Sequence, residues 1–262
     1  MVEQTAVGGA TAWDRDGLKQ EDWVLGPTAV DLVARVDRCL RSGPGVAVVR
    51  GVELDGLDDE ECAELCRRLV ARVGRVRPHD CGARRDHLVD AGAAGSSELG
   101  PHTDRAGFPG PPRLLALLCI RPALHGGESL LVSGHAVHDQ LLAGRPAVLQ
   151  HLYQDFNFGR GPGFERIYPV FRRTAGSMRV QYNRYWIGRG RHESGVPFSA
   201  GRTAALDAFD EVLADPRMVV RLQLRRGDLL LLDNTVVLHG RTAFTDPQLP
   251  RPQRCLARVW AD

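Results

Sequence analysis

Short apolar runs broken by Gly-, Pro- and Asp-containing turns, with helical spacing confined to a few stretches, predict a mainly β fold with flanking helices. The architecture that fits is a double-stranded β-helix, the jelly-roll, cupin-like arrangement. Leu114 to Ile120 and Leu229 to Leu232 are unbroken apolar runs, as expected of strands buried on both faces. Turns such as Gly107 to Pro112 and Arg225-Arg226-Gly227-Asp228 punctuate them. No internal repeat or linker divides the 262 residues, a length that one β domain can fill. The expected organisation is an N-terminal arm or lid over residues 1–27 and one domain over 28–262.

Residues 1–27 mix Gly, Ala, Thr and charge without a period, which reads as a loose arm with Trp13 and Trp23 packing at the surface. Leu32, Val33, Val36 and Leu40 then recur at helical spacing, so Thr28 to Arg41 reads as a helix, followed by a strand from Val46 to Arg50. Asp58 and Glu61 stand as N-cap and N3 of a second helix, a capping box in carboxylate form. That helix carries Cys62, Leu65, Cys66, Leu69 and Val73 on one face. Residues 75–98 show no regular element and read as a substrate loop, with Arg84, Arg85 and His87 read as ordinary exposed loop residues and contact with substrate as the alternative. Ala136 to Leu142 and Pro146 to Leu152 read as two short helices inserted at one side. Met178 to Ile187 alternates like a strand, with Val180, Tyr182, Arg184 and Trp186 on one face. Arg202 to Ala214 is a helix, Val219 to Leu224 a strand, and Arg254 to Trp260 the closing strand.

One stretch organises the chain: Leu99-Gly100-Pro101-His102-Thr103-Asp104. In an extended strand, residues i and i+2 share a face, so His102 and Asp104 aim an imidazole and a carboxylate at one point while Thr103 faces away. A second histidine completes a set of two imidazoles and one carboxylate, the ligand set of non-haem Fe(II) oxygenases. His239, in Asp233-Asn234-Thr235-Val236-Val237-Leu238-His239-Gly240-Arg241, follows a buried strand and is best placed for it. Asp228 and Asn234 flank that strand and read as turn residues. His135 and His138 lie three apart on a helix, but no Cys or acidic cluster joins them, and both read as solvated.

These motifs resemble the Fe(II)/2-oxoglutarate-dependent dioxygenases of the taurine dioxygenase and clavaminate synthase branch, over about residues 45–262. In length the chain is similar to small members such as carbapenem synthase. The resemblance implies that His102, Asp104 and His239 hold Fe(II) and form the catalytic centre. It implies that Ser129, after Gly126-Gly127 and 25 residues past Asp104, helps bind the far carboxylate of 2-oxoglutarate. Arg254, 15 residues past His239, takes the main salt bridge to that carboxylate, with Arg251 as the alternative. Arg258, four residues further on, meets an anionic group of the substrate. The implied reaction consumes 2-oxoglutarate and O2, oxidises an unactivated C–H bond of a small polar, amino-acid-derived metabolite, and releases succinate and carbon dioxide. Desaturation, epimerisation or ring formation in natural-product biosynthesis would use the same site, and a non-catalytic cupin-like metal-binding protein is the alternative from another class. Retention of the acid at position 104 argues against halogenation, because related halogenases carry a small residue there.

Composition narrows the partners. The 34 Lys and Arg nearly balance 32 Asp and Glu, a net charge of +2 without a basic patch, so a nucleic-acid partner is not expected. Neither an apolar stretch of membrane length nor a leader-like apolar segment is evident, so no membrane partner is expected. Six cysteines at 39, 62, 66, 81, 119 and 255 form no C-x-x-C and no framework, a reduced pattern that places the protein in the cytoplasm. The expected partner is a small-molecule substrate.

Overall fold

A computed structural model describes residues 5–78, 88–90, 96–159, 167–174, 177–248 and 252–262. In chain order, the strands of the two main sheets are β1 (Val24–Leu25), β2 (Val46–Val49), β3 (Leu88–Asp90), β4 (Leu99–His102) and β5 (Leu114–Arg121). They continue as β6 (Ser129–Ser133), β7 (Val220–Leu222), β8 (Leu229–Asp233), β9 (Val237–Arg241) and β10 (Cys255–Ala261). The helices are α1 (Leu32–Arg41), α2 (Asp59–Val70), α3 (Gly134–Gly144), α4 (Pro146–Leu149), α5 (Arg184–Ser194) and α6 (Ala200–Ala214).

The larger sheet has the order β1-β2-β8-β5-β10-β3 and the smaller one β7-β6-β9-β4. All of these pairings are antiparallel except β1 with β2. Strand alternation sorts the side chains into three layers of core. Val48, Leu115, Leu230 and Trp260 of the larger sheet meet Leu131 and Val237 of the smaller one between the sheets. The opposite face of the larger sheet, through Ala116, Leu231 and Ala257, buries α1 and α2. Val132 and Leu238 turn the outer face of the smaller sheet toward α3 and α6. The jelly-roll expectation is therefore met by two facing antiparallel sheets with helices on both outer faces.

Several local expectations hold. Asp58 accepts from the Glu61 amide at 2.8 Å and Glu61 accepts from the Asp58 amide at 2.9 Å, completing the capping box. The five described cysteines are all buried and free, and Cys62 and Cys66 pack in the α1/α2 layer. Among the described residues no helix is long and apolar enough to cross a membrane.

Other expectations are corrected. The first helix begins at Leu32, not Thr28, because Asp31 takes a left-handed φ of 56° that breaks helical continuity before it. Trp13 and Trp23 do not lie at the surface; they are 5% and 1% exposed in the inter-sheet core. Trp13 Nε1 donates to the Pro44 carbonyl at 2.7 Å, and Val24–Leu25 adds a parallel edge to β2, so residues 13–25 are packed on the body. A strand, β3, lies within the stretch read as loop and pairs with β10. Arg84, Arg85, His87 and Arg251 lie outside the described residues.

Met178 to Ile187 is not one strand. A short strand ends at Val180, and α5 starts at Arg184, because Asn183 caps it by accepting from the Trp186 amide at 3.1 Å. His135 and His138 are not solvated but 5% and 0% exposed. His135 bridges the Thr11 hydroxyl (2.7 Å) and the Met178 carbonyl (2.9 Å), and His138 bridges Asp139 and the Tyr153 hydroxyl, both at 2.8 Å. Burial therefore lowers the pKa of both, keeping them neutral structural residues.

Candidate metal centre

His102 and His239 are direct cross-strand partners at the β4–β9 pairing, with ring centroids 4.5 Å apart. The approach is close because the residue after His239 is glycine: a Cβ on Gly240 would meet the Leu99 carbonyl oxygen at 2.4 Å. Thr103, just past the end of β4, faces away from the pair and is 1% exposed. It exchanges hydrogen bonds with Tyr182, its amide donating to the Tyr182 carbonyl at 2.8 Å and its Oγ1 accepting from the Tyr182 amide at 3.0 Å. That anchor turns Asp104 back toward the histidines.

Asp104 Oδ1 lies 3.4 Å from His102 Nε2 and 3.6 Å from His239 Nε2. His102 Nδ1 is 3.0 Å from the Gly100 carbonyl, which can only accept, so Nδ1 carries the hydrogen and Nε2 offers its lone pair inward. His239 Nδ1 is buried without a partner among the described residues, so packing alone sets that ring. Burial opposes charge on Asp104, but the two facing imidazoles and the Arg258 charge outweigh it, holding the carboxyl well below the usual range. Burial and the neighbouring His102 push His239 down, toward the neutral imidazole a metal needs. The three ligand atoms lie within 4.8 Å of one another and carry no thiolate. Two imidazoles and one carboxylate suit non-haem Fe(II) with positions left open, and do not resemble a closed zinc site.

Arg254, Leu256, Arg258 and Trp260 alternate onto the inner face of β10 and the residue before it. Arg254 is 5% exposed, with its guanidinium carbon 5.2 Å from the Phe244 ring centroid; burial, with Arg241 nearby, lowers its pKa. Its Nε is 3.4 Å from where a Cβ on Gly127 would stand. Gly126 and Gly127 take φ of 71° and 72°, which explains the glycine pair and leads into β6 at Ser129. Ser129 is 5% exposed and on the same strand face as Leu131, which lies in the inter-sheet core. Arg258 Nη1 stands 3.9 Å from Asp104 Oδ2, and its guanidinium carbon is 4.8 Å from the Trp260 ring centroid. The sequence-derived residues thus fall into two groups, His102, Asp104, His239 and Arg258 in one, Arg254 beside the turn to Ser129 in the other.

Comparison with known proteins decides the family: residues 19–260 match the model described as taurine catabolism dioxygenase TauD, TfdA family. The chain belongs to this TauD/TfdA family. It is 28% identical over 269 residues to FR-33289 synthase of Streptomyces rubellomurinus (strain ATCC 31215), covering 96% of this chain and 78% of that protein. It is 35% identical over 146 residues to a uridine-5'-phosphate dioxygenase of a Streptomyces species, covering 52% of each. Among solved structures, asparagine oxygenase (AsnO) matches with a TM-score of 0.66 at 22% identity, over 87% of this chain and 76% of that one. The non-haem iron oxygenase OrfP in complex with Fe matches with a TM-score of 0.66 at 19% identity, over 88% and 78%. These two likenesses carry the fold.

In this TauD/TfdA oxygenase, two residues at the centre escaped the sequence reading. Trp260 Nε1 donates to Asp104 Oδ2 at 2.8 Å. Asn234 is not a simple turn residue. Its Oδ1 accepts from the Asp104 amide at 2.7 Å, and its Nδ2 donates to the carbonyls of Asp104 (3.0 Å) and Pro112 (2.9 Å). The Asp-Asn pair was visible as a signal, but its target 130 residues away was not. Asn234→Ala strands three buried backbone groups, each costing about 1–3 kcal/mol when unpaired. We expect a loss of about 3 kcal/mol and a fall in melting temperature of roughly 6–12 °C, read by thermal and urea denaturation. A shift below about 2 °C would show that water replaces the amide without penalty.

Proposed function

We propose that the chain catalyses Fe(II)- and 2-oxoglutarate-dependent hydroxylation of an unactivated C–H bond in a small polar, amino-acid-derived metabolite. The observation that carries the reading is the convergence of His102 and His239 Nε2 on one oxygen of an anionic Asp104. Arg254 is a buried guanidinium set against Phe244 and Gly127, and its backbone amide donates to Asp246 at 3.1 Å. His102, Asp104 and His239 would hold the iron. Arg254 and Ser129 would hold the far carboxylate of 2-oxoglutarate, Arg254 through its planar, two-pronged donor set and Ser129 as a neutral donor. Arg258 would meet an anionic group of the substrate. When bound, iron and 2-oxoglutarate supply the oxidising chemistry, with succinate and carbon dioxide released; the residues named here bind, orient and exclude water.

The substrate class is supported by the relatives: solved neighbours contain 3-hydroxyasparagine with succinate, and (3S)-hydroxy-L-Arg. A cytoplasmic enzyme of one domain, with residues 13–25 packed into it and without a nucleic-acid partner, completes the reading. The test is succinate release by the anaerobically iron-loaded protein against panels of amino acids, nucleosides, nucleotides and β-lactams, with product masses recorded. Stimulated succinate formation with a product one oxygen heavier is expected. A product two hydrogens lighter would replace hydroxylation by desaturation or ring closure. Iron and 2-oxoglutarate binding without succinate under any condition would favour the non-catalytic metal-binding protein.

A further inference from the structure

We propose that Trp260 is a positioning residue that keeps Asp104 a single-oxygen ligand and so preserves the position at which O2 binds. The inference rests on the iron reading above. A carboxylate can hold a cation through one oxygen or both. With two imidazoles and one carboxylate oxygen on an octahedral metal, three positions remain, two for 2-oxoglutarate and one for O2. A second oxygen from Asp104 would occupy the last of them.

The geometry separates the two oxygens. Oδ1 faces both imidazoles, at 3.4 and 3.6 Å, whereas Oδ2 accepts from Trp260 Nε1 at 2.8 Å. Indole nitrogen is a donor only, so it engages an Oδ2 lone pair and cannot ligate the metal itself. Arg258 adds positive charge on the same side but stands 3.9 Å from Oδ2, beyond hydrogen-bonding distance for that pair. The indole has little room to swing. Trp260 is 5% exposed, its strand is registered against β5 at Leu115, and the guanidinium carbons of Arg105 and Arg258 lie 5.3 and 4.8 Å from its ring centroid.

Trp260→Phe removes the donor and retains an aromatic ring for the two arginines. Wild-type and variant protein would be loaded anaerobically with Fe(II) and 2-oxoglutarate and titrated with nitric oxide as an O2 surrogate, following the S = 3/2 electron paramagnetic resonance signal. Fe(II) affinity and the metal-free melting temperature would be measured alongside. The expected result is Fe(II) affinity within about threefold of wild type and nitric oxide affinity lowered by about tenfold or more. Equal nitric oxide affinity would overturn the proposal. Parallel loss of Fe(II) affinity would also overturn it, by making the tryptophan a general support of the site. Should Trp260→Phe fail to fold, benzothienylalanine at this position alone, which replaces the N–H with sulfur at nearly constant shape, carries the same measurements. A wild-type protein that binds no iron would overturn the iron reading and this inference together.

Discussion

Asp104→Ala should take iron binding from one Fe(II) per chain to below detection at micromolar metal and lower succinate formation by more than about 100-fold, beyond the cost of losing an outer partner. Asp104 is the anion of the His-Asp-His group, and two neutral imidazoles alone neither balance a dication nor fix three positions on one face of it. The fold should survive. Asn234 holds Asp104 through backbone atoms, which alanine keeps, and Thr103 remains tied to Tyr182. What is lost is the acceptor for Trp260 Nε1–H and a negative charge 3.9 Å from Arg258. We expect a stability change of about 1–3 kcal/mol in the metal-free protein, since an unpaired buried donor is offset by relief of carboxylate desolvation. Anaerobic Fe(II) titration, succinate assays and thermal melts check the three parts separately. Full turnover by the variant would show that the metal lies elsewhere.

Arg254→Ala and Arg258→Ala should fail differently. Arg254 is buried beside the Gly126-Gly127 turn, where every cycle would need the cosubstrate carboxylate. Removing one partner of a buried charge pair costs on the order of 3–5 kcal/mol, which is about 10²- to 5 × 10³-fold in the 2-oxoglutarate requirement. Succinate formed without substrate should fall with it. Arg258 is four residues on, about 13 Å along the strand, and stands by Asp104 and Trp260. Its alanine variant should leave 2-oxoglutarate binding within a few-fold, weaken the prime substrate, and raise the fraction of succinate formed without product. Succinate release against 2-oxoglutarate concentration, with and without substrate, separates the two. Equal loss of cosubstrate affinity would refute the division, and a reversed pattern would exchange the assignments.

What could be read from the chain was local or periodic. The i, i+2 spacing put His102 and Asp104 on one face, the Asp58/Glu61 box fixed the start of α2, and the unbroken Leu229 to Leu232 run marked a central strand. Errors arose where a short-range pattern met a long-range partner. Alternation from Met178 to Ile187 looked like a strand until the Asn183 cap intervened, since short apolar alternation does not itself exclude a helix start. His135 and His138 looked solvated because their partners, Thr11, Met178 and Tyr153, come from other parts of the chain. Trp260 and Asn234 were missed for the same reason: a lone Trp or Asn announces no metal ligand 156 or 130 residues away.

The place of β10 has a consequence for how the protein comes into being on the ribosome. It lies inside the larger sheet, between β5 and β3, and is made after every other strand of that sheet. Until it docks, the eight-residue β5 presents an open, leucine-rich edge, the kind of template on which chains pair wrongly. Docking closes contacts far apart in sequence, a slow class of folding event that leaves nascent chains exposed in the meantime. The same strand carries Arg258 and Trp260, with Arg254 directly before it. A chain interrupted before residue 254 would therefore lack both the seal of its sheet and the residues proposed to hold cosubstrate and substrate, so protection from aggregation and competence for chemistry arrive in one step.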